Sequence, residues 1–228
     1  SSSPVMKDMI SPMENTVYFL PNSDARQSQI YFYIPMGDYN REENVRREAF
    51  NQYISGGFSG LIMNEIREKN SMAYTAYGFA SSRGLPGAQT YFSGYIGTQN
   101  DKAVDAIDLY MKLLTDMPER PGRIDNIKSY LRQSALTDHP DSRNLSLRIA
   151  EWKRRGYTDD PAKEELPLID SLTFPDIVDY YQKNIKGKPI IIGVLGNPKD
   201  ISIDALKKFG KVIRLNEKKL FNEKDTMF

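Results

Sequence analysis

The 228-residue chain contains no cysteine and one histidine, has no apolar run near the length of a membrane span, and shows no excess of either charge. Without cysteine there is neither a disulfide framework nor a thiolate metal site, although that absence leaves the compartment open. A catalytic zinc site takes about three protein ligands, usually histidine joined by Asp or Glu. His139 stands alone in "LTDHPDS", so the chain cannot build such a site unaided. Beside proline at a helix break, it reads as a loop residue. Nothing around it resembles the nucleophile elbow that a serine mechanism would need. A spanning helix takes ~20 apolar residues, so no membrane partner is expected. Lys plus Arg number 31 against 30 for Asp plus Glu, a net charge of +1, and no nucleic-acid partner is expected either.

What is present suffices for a folded domain. The chain is 39% hydrophobic and 27% charged. At this length roughly 70% of the unfolded surface is buried on folding. "NTVYFL" and "QSQIYFYIP" read as strands, with an antiparallel pair as the simplest arrangement. "REENVRREAFNQYIS" places Val45, Ala49 and Tyr53 at helical spacing and stops at Gly56 and Gly57. Ser59 would cap a second helix through "GLIMNEIREKN". "MAYTAYGFASS" and "AQTYFSGYIGT" alternate like paired strands around the turn "RGLPG". "DKAVDAIDLYMKLLTDM" is the clearest helix, and further helical patterns follow in "PGRIDNIKSYLRQSAL", "DSRNLSLRIAEWKRRGY" and "TFPDIVDYYQKNIKG". "KPIIIGVLG" reads as a strand buried on both faces, "SIDALKKFG" as a short helix and "KVIRL" as a last strand. This order predicts an α+β fold, with helices on one face of a mixed or antiparallel sheet. Residues 1–14 form a polar lead or linker, 15–215 one domain and 216–228 a charged tail.

Candidate chemistry is sparse. "GGFSG" has neither the Lys-Ser/Thr ending of a phosphate loop nor dinucleotide spacing. The carboxylates of "REEN", "NEIREK" and "KEELP" fit solvated helix faces, with Glu65 and Lys69 four apart. Arg67 and Tyr74 remain. Their spacing alone proves nothing, since Arg26 and Tyr33, Arg46 and Tyr53, and Arg123 and Tyr130 are also seven apart. Context separates them: Arg67 falls in the last turn of a helix and Tyr74 at the start of a strand. Strand alternation would put Met72, Tyr74 and Ala76 on one face and Tyr77 on the other. Two readings stand on the residues alone, a functional pair at one end of the sheet, or a helix-end cation beside a half-buried ring.

"NQYISGGFSGLIMNEIREKNSMAYTAYG" resembles the C-terminal, non-zinc half of the insulinase/pitrilysin family of zinc metallopeptidases, including its processing-peptidase branch. The pattern is a glycine-rich stretch, a helix ending in an E-I-R-E-K-like run and an A-Y-x-x-Y strand. "RQSQIYFYIPMG", "YFSGYIGTQNDKAVDAIDLYMKLL" and "PIIIGVLGNPKDISIDALKKFGKV" extend the likeness over roughly residues 15–215. The resemblance implies a domain that pairs with a second of the same fold around an unstructured peptide. The partner domain or subunit would carry the H-x-x-E-H motif and the zinc, and this chain would bind no metal and be inactive alone. Residue by residue, the arginine and tyrosine that the non-zinc half supplies fall on Arg67 and Tyr74. Tyr74 would donate a hydrogen bond to the carbonyl oxygen as negative charge develops there, and Arg67 would hold a nearby substrate carbonyl. Gly56 and Gly57 occupy the place of the branch's substrate-handling loop, or simply end one helix and turn the chain. A non-catalytic structural or peptide-binding relative of the same fold is the alternative.

Overall fold

The structure, a computed structural model, describes residues 10–57, 60–68, 70–138 and 142–216. The expectations for Ser59, Lys69, His139 and the tail beyond 216 lie outside these residues. In chain order the elements are β1 (Thr16–Pro21), β2 (Gln27–Asp38), α1 (Asn44–Ser55), a π-helix (Met63–Glu68), β3 (Thr75–Ser81), β4 (Gln89–Gln99), α2 (Ala103–Thr115), α3 (Ile124–Thr137), α4 (Leu145–Arg154), α5 (Pro161–Ser171), α6 (Phe174–Asn184), β5 (Ile191–Gly196), α7 (Ile203–Leu206) and β6 (Lys211–Arg214).

The six strands form one mixed sheet in the order β3-β4-β2-β5-β1-β6. Alternation gives the sheet two unlike faces. Along β2, Ser28, Ile30, Phe32, Ile34 and Met36 are buried, whereas Gln27, Gln29 and Tyr31 are exposed. The buried set joins Val17 and Phe19 of β1, Phe92 and Ile96 of β4 and Ile192 and Val194 of β5 in one core with α1, α2 and α6. The opposite face carries a row of rings, Tyr77 beside Tyr95 at 5.4 Å and Tyr95 beside Tyr31 at 5.1 Å, with Tyr31 and Tyr77 exposed. The molecule is therefore α+β, a mixed sheet with its core-forming helices on one side.

Three expectations are corrected. β1 and β2 are not a hydrogen-bonded pair: β5 lies between them, parallel to β1 and antiparallel to β2. The connection over residues 22–26 steps across the intervening strand, and the Asn22 amide donates to the Gly196 carbonyl at the end of β5 (2.9 Å). An all-apolar strand such as "IIGVLG" is better placed inside a sheet than on an edge with unpaired backbone groups. β5 is not buried on both faces, however. Ile192, Val194 and Gly196 are enclosed, while Ile191, Gly193 and Leu195 on the ring-bearing face are half-covered. The second helix is a π-helix over Met63–Glu68 rather than an α-helix, with Ile66 turned into the core. Its wide turn leaves the carbonyls of Glu65, Ile66 and Arg67 to be taken from the following loop, by the Asn70 side chain and the amides of Met72 and Ser71.

α5 was foreshadowed only by the helix-face reading of "KEELP" and had no bounds among the expected helices, because Pro167 interrupts its interior. Its start is nonetheless well defined. Asp160 caps it, accepting from the Ala162 amide at 2.9 Å, and Pro161 occupies the first turn, where a missing donor costs nothing. At α6, Asp176 accepts from both the amide (2.9 Å) and the hydroxyl (2.6 Å) of Thr173, as the Thr173-x-x-Asp176 spacing predicts.

One contact fixes α2 against the sheet. Gly78 and Gly94 face each other across β3 and β4, and the fully buried Tyr110 of α2 occupies the slot they leave. Its ring stacks on Phe32 (4.0 Å, 6°) and its hydroxyl donates to the Tyr77 carbonyl at 2.9 Å. Burial pushes the Tyr110 phenol well above its ordinary value, so it remains a neutral donor.

Candidate functional site

Antiparallel pairing of β3 with β4 brings the start of one beside the end of the other, with Thr75 opposite Gly97. At that end of the sheet, Arg67, Glu68, Ser71, Met72, Ala73, Tyr74, Thr98, Gln99 and Lys102 line an open cleft of about 380 Å³. Arg67 and Tyr74 are thus brought to one cavity. Arg67 leaves the last turn of the π-helix with its side chain 45% exposed, and Nε lies 3.7 Å from Glu68 Oε1. Tyr74 is 52% exposed. It precedes β3 rather than forming part of it, and strand alternation governs only the residues after it: Ala76 is buried and Tyr77 exposed.

The loop between them is held from three points on β4 and the start of α2. The Tyr74 amide donates to the Gly97 carbonyl (2.8 Å), the Thr98 hydroxyl donates to the Met72 carbonyl, and Lys102 Nζ donates to the Ser71 carbonyl (3.3 Å). Ser71 has φ +50°, the one non-glycine residue with positive φ among those described. That left-handed conformation closes the π-helix and turns the chain toward Tyr74, at a steric cost for any residue with a Cβ. Glu65 faces away from the cleft toward Arg120, with which it forms an ion pair.

Gly56 and Gly57 do not line this cleft. Gly56 caps α1, its amide donating to the Gln52 carbonyl (3.0 Å), and a side chain there would collide with Gln52. Gly57 follows in the left-handed region, φ +57°, and its carbonyl accepts from the Gly60 amide (3.3 Å). Both therefore act locally as a helix stop and turn. Lys102, Thr98 and Ser71 were not singled out from the sequence. The only signal for the first two was the strand pairing itself, which carries "TQNDK" back to "MAY", and "NSM" gives no cue that its serine turns left-handed.

Among the described residues, no group of three or more His, Asp or Glu side chains is placed to hold a metal ion, and no helix is long and apolar enough to cross a membrane.

Residues 9–121 match the family model described as "Peptidase M16 inactive domain". No sequence match is found among curated proteins. The chain is similar in structure to the peptidase M16 inactive domain from Pseudomonas fluorescens, with a TM-score of 0.68 at 15% identity, covering 86% of this chain and 47% of that one. It is similar to the periplasmic protease PqqL from Escherichia coli, with a TM-score of 0.65 at 16% identity, covering 86% of this chain and 22% of that one. A chain of complex III2 from Candida albicans is also similar, with a TM-score of 0.61 at 14% identity, covering 90% of this chain and 52% of that one. At these identities the likeness is one of fold, and this chain spans about half the length of those solved chains or less.

Proposed function

We propose, from the premise that this chain carries a C-terminal domain of the M16 peptidase family, that it is the non-zinc half of a zinc metalloendopeptidase and supplies one wall of the chamber holding an unstructured peptide. The observation that carries this reading is the shared cleft of Arg67 and Tyr74. The described residues do not fit a zinc site, so the ion and its motif belong, in this reading, to another domain or chain. Zinc would supply the hydrolytic chemistry; the residues here bind and orient.

Tyr74 donates its phenolic hydrogen to the scissile carbonyl oxygen as negative charge grows there, a bond that is stronger in the transition state than in the bound substrate. Arg67 presents a fork of N–H donors to a neighbouring substrate carbonyl and fixes the register of the peptide. The clamped loop between them keeps their separation constant without help from substrate.

The test is zinc-dependent cleavage of a quenched, unstructured peptide by the parent enzyme, or by its zinc half mixed with this chain. Tyr74→Phe should lower kcat about 10²- to 10³-fold with little change in KM, the usual cost of one lost oxyanion donor. Unchanged turnover in the variant would return Tyr74 to a packing role. The similarity to a complex III2 chain favours a second reading, a non-catalytic structural relative, and absence of turnover in the wild-type assembly would select it.

A further inference from the structure

We infer that Lys102 makes this cleft selective for a peptide carboxylate close to the carbonyl that Tyr74 contacts. The inference rests on the peptide-chamber reading and adds a substrate class to it. Among the described residues, the charged groups lining the cleft are Arg67, Lys102 and Glu68. Glu68 is the sequence neighbour of Arg67, and their 3.7 Å approach is the long, exposed kind of pair that water competes with readily. Lys102 forms no ion pair among the described residues. Its one hydrogen bond, to the Ser71 carbonyl at 3.3 Å, leaves two of its three ammonium hydrogens available to the cavity. The described lining therefore carries two cations and one carboxylate, in a chain close to neutral overall.

Lys102 is also held in place. It directly precedes α2, the helix whose Tyr110 is seated in the Gly78 and Gly94 slot, and its side chain is tied to the loop that joins Arg67 to Tyr74. A lysine so placed loses less freedom on binding than one on an open surface. Backbone carbonyls are neutral and are served by Tyr74 and Arg67. An uncompensated ammonium beside them gains most from a full negative charge, either an Asp or Glu side chain or the carboxylate at the end of the peptide.

The probes are fluorescein-labelled, unstructured peptides of one length with Glu, Gln or Lys at a single central position, each made as the C-terminal amide and the free acid. Binding to the full chain is measured by anisotropy and requires no zinc. At low salt the Glu amide should bind about fivefold tighter than the Gln amide, with the Lys amide weakest, and the difference should shrink toward parity as salt is raised. Lys102→Arg should keep this order, Lys102→Gln should erase it, and Lys102→Glu should invert it while the circular dichroism spectrum stays that of the wild type. Tighter binding of every free acid than of its amide, lost in Lys102→Gln, supports the site and identifies the carboxylate as a chain terminus. Equal binding of all six peptides, or a preference that survives Lys102→Glu, overturns the inference alone. Failure of every peptide to bind overturns the chamber reading as well.

Discussion

Gly94→Ala tests whether the seat of α2 on the sheet is as tight as its geometry implies. A methyl group at Gly94 would lie 2.8 Å from Cζ of Tyr110 and closer still to the hydroxyl oxygen. Gly78 across the strand offers no relief, since its own missing Cβ would meet Phe92 Cζ at 2.5 Å and Ile62 Cδ1 at 2.9 Å. Tyr110 must therefore back out of the slot. Its bond to the Tyr77 carbonyl is then broken, at about 1–3 kcal/mol for a buried group left unpaired. Forced repacking of a filled core adds about 1–3 kcal/mol. We expect a loss of about 3–5 kcal/mol, a large share of the ~5–15 kcal/mol by which domains are stable. Urea denaturation should show an earlier midpoint with an unchanged slope. Gly37→Ala is the control, because nothing lies within 4 Å of a Cβ there. Tyr110→Phe in the Gly94→Ala background should recover part of the loss, so that the double variant is at least ~1 kcal/mol more stable than the sum of the single effects predicts. A Gly94→Ala protein within 1 kcal/mol of wild type would refute the reasoning.

Two further predictions concern the loop at the cleft and the cap of α6. Ser71→Gly relieves the left-handed serine, gaining about 1–2 kcal/mol in the folded state and losing about 0.4–1 kcal/mol to a freer unfolded chain. The net rise in melting temperature should be about 1–4 °C, and a fall by that much would show the turn to be stabilised by serine itself. At Asp176, burial works to raise the carboxyl, but the hydrogen bonds from Thr173 and the Arg46 guanidinium together hold it below the ordinary carboxylate value. Its contribution is therefore present above the unfolded pKa of about 3.9 and lost as pH falls through the lower folded value. Asp176→Asn should cost about 1 kcal/mol at pH 7, and the two stability curves should converge in acid; curves that stay parallel would contradict the assignment.

Local signals were readable where one element decides its own structure. Val45, Ala49 and Tyr53 mark the buried stripe of α1, Gly56 and Gly57 its end, and Thr173 and Asp176 the start of α6. What could not be read was set at long range. The neighbour of β1 is decided by "IIGVLG", some 170 residues later, and no local pattern distinguishes a strand that pairs with its successor from one that admits a third between them. α5 showed only as the helix face of "KEELP", its extent hidden because Pro167 breaks the period that reveals a helix. At the cleft, Arg67 and Tyr74 stand out by their place between a helix end and a strand start, whereas Lys102 joins them only once β3 and β4 are paired. The π-helix has no signature in composition, since it differs from an α-helix by a single widened turn.

The seat of β5 between β1 and β2 has a bearing on how the chain is made. During synthesis β1 through β4 leave the ribosome first, yet β1 hydrogen-bonds only to β5 and β6, which come last. Until residue 196 has emerged, the facing edges of β1 and β2 have no strand to pair with, and the sheet cannot be completed. Contacts so distant along the chain are slow to close, and open strand edges invite pairing with other chains in the meantime. The arrival of β5 is thus the event that joins β1 to the strands already made, and β6 then covers the outer edge of β1.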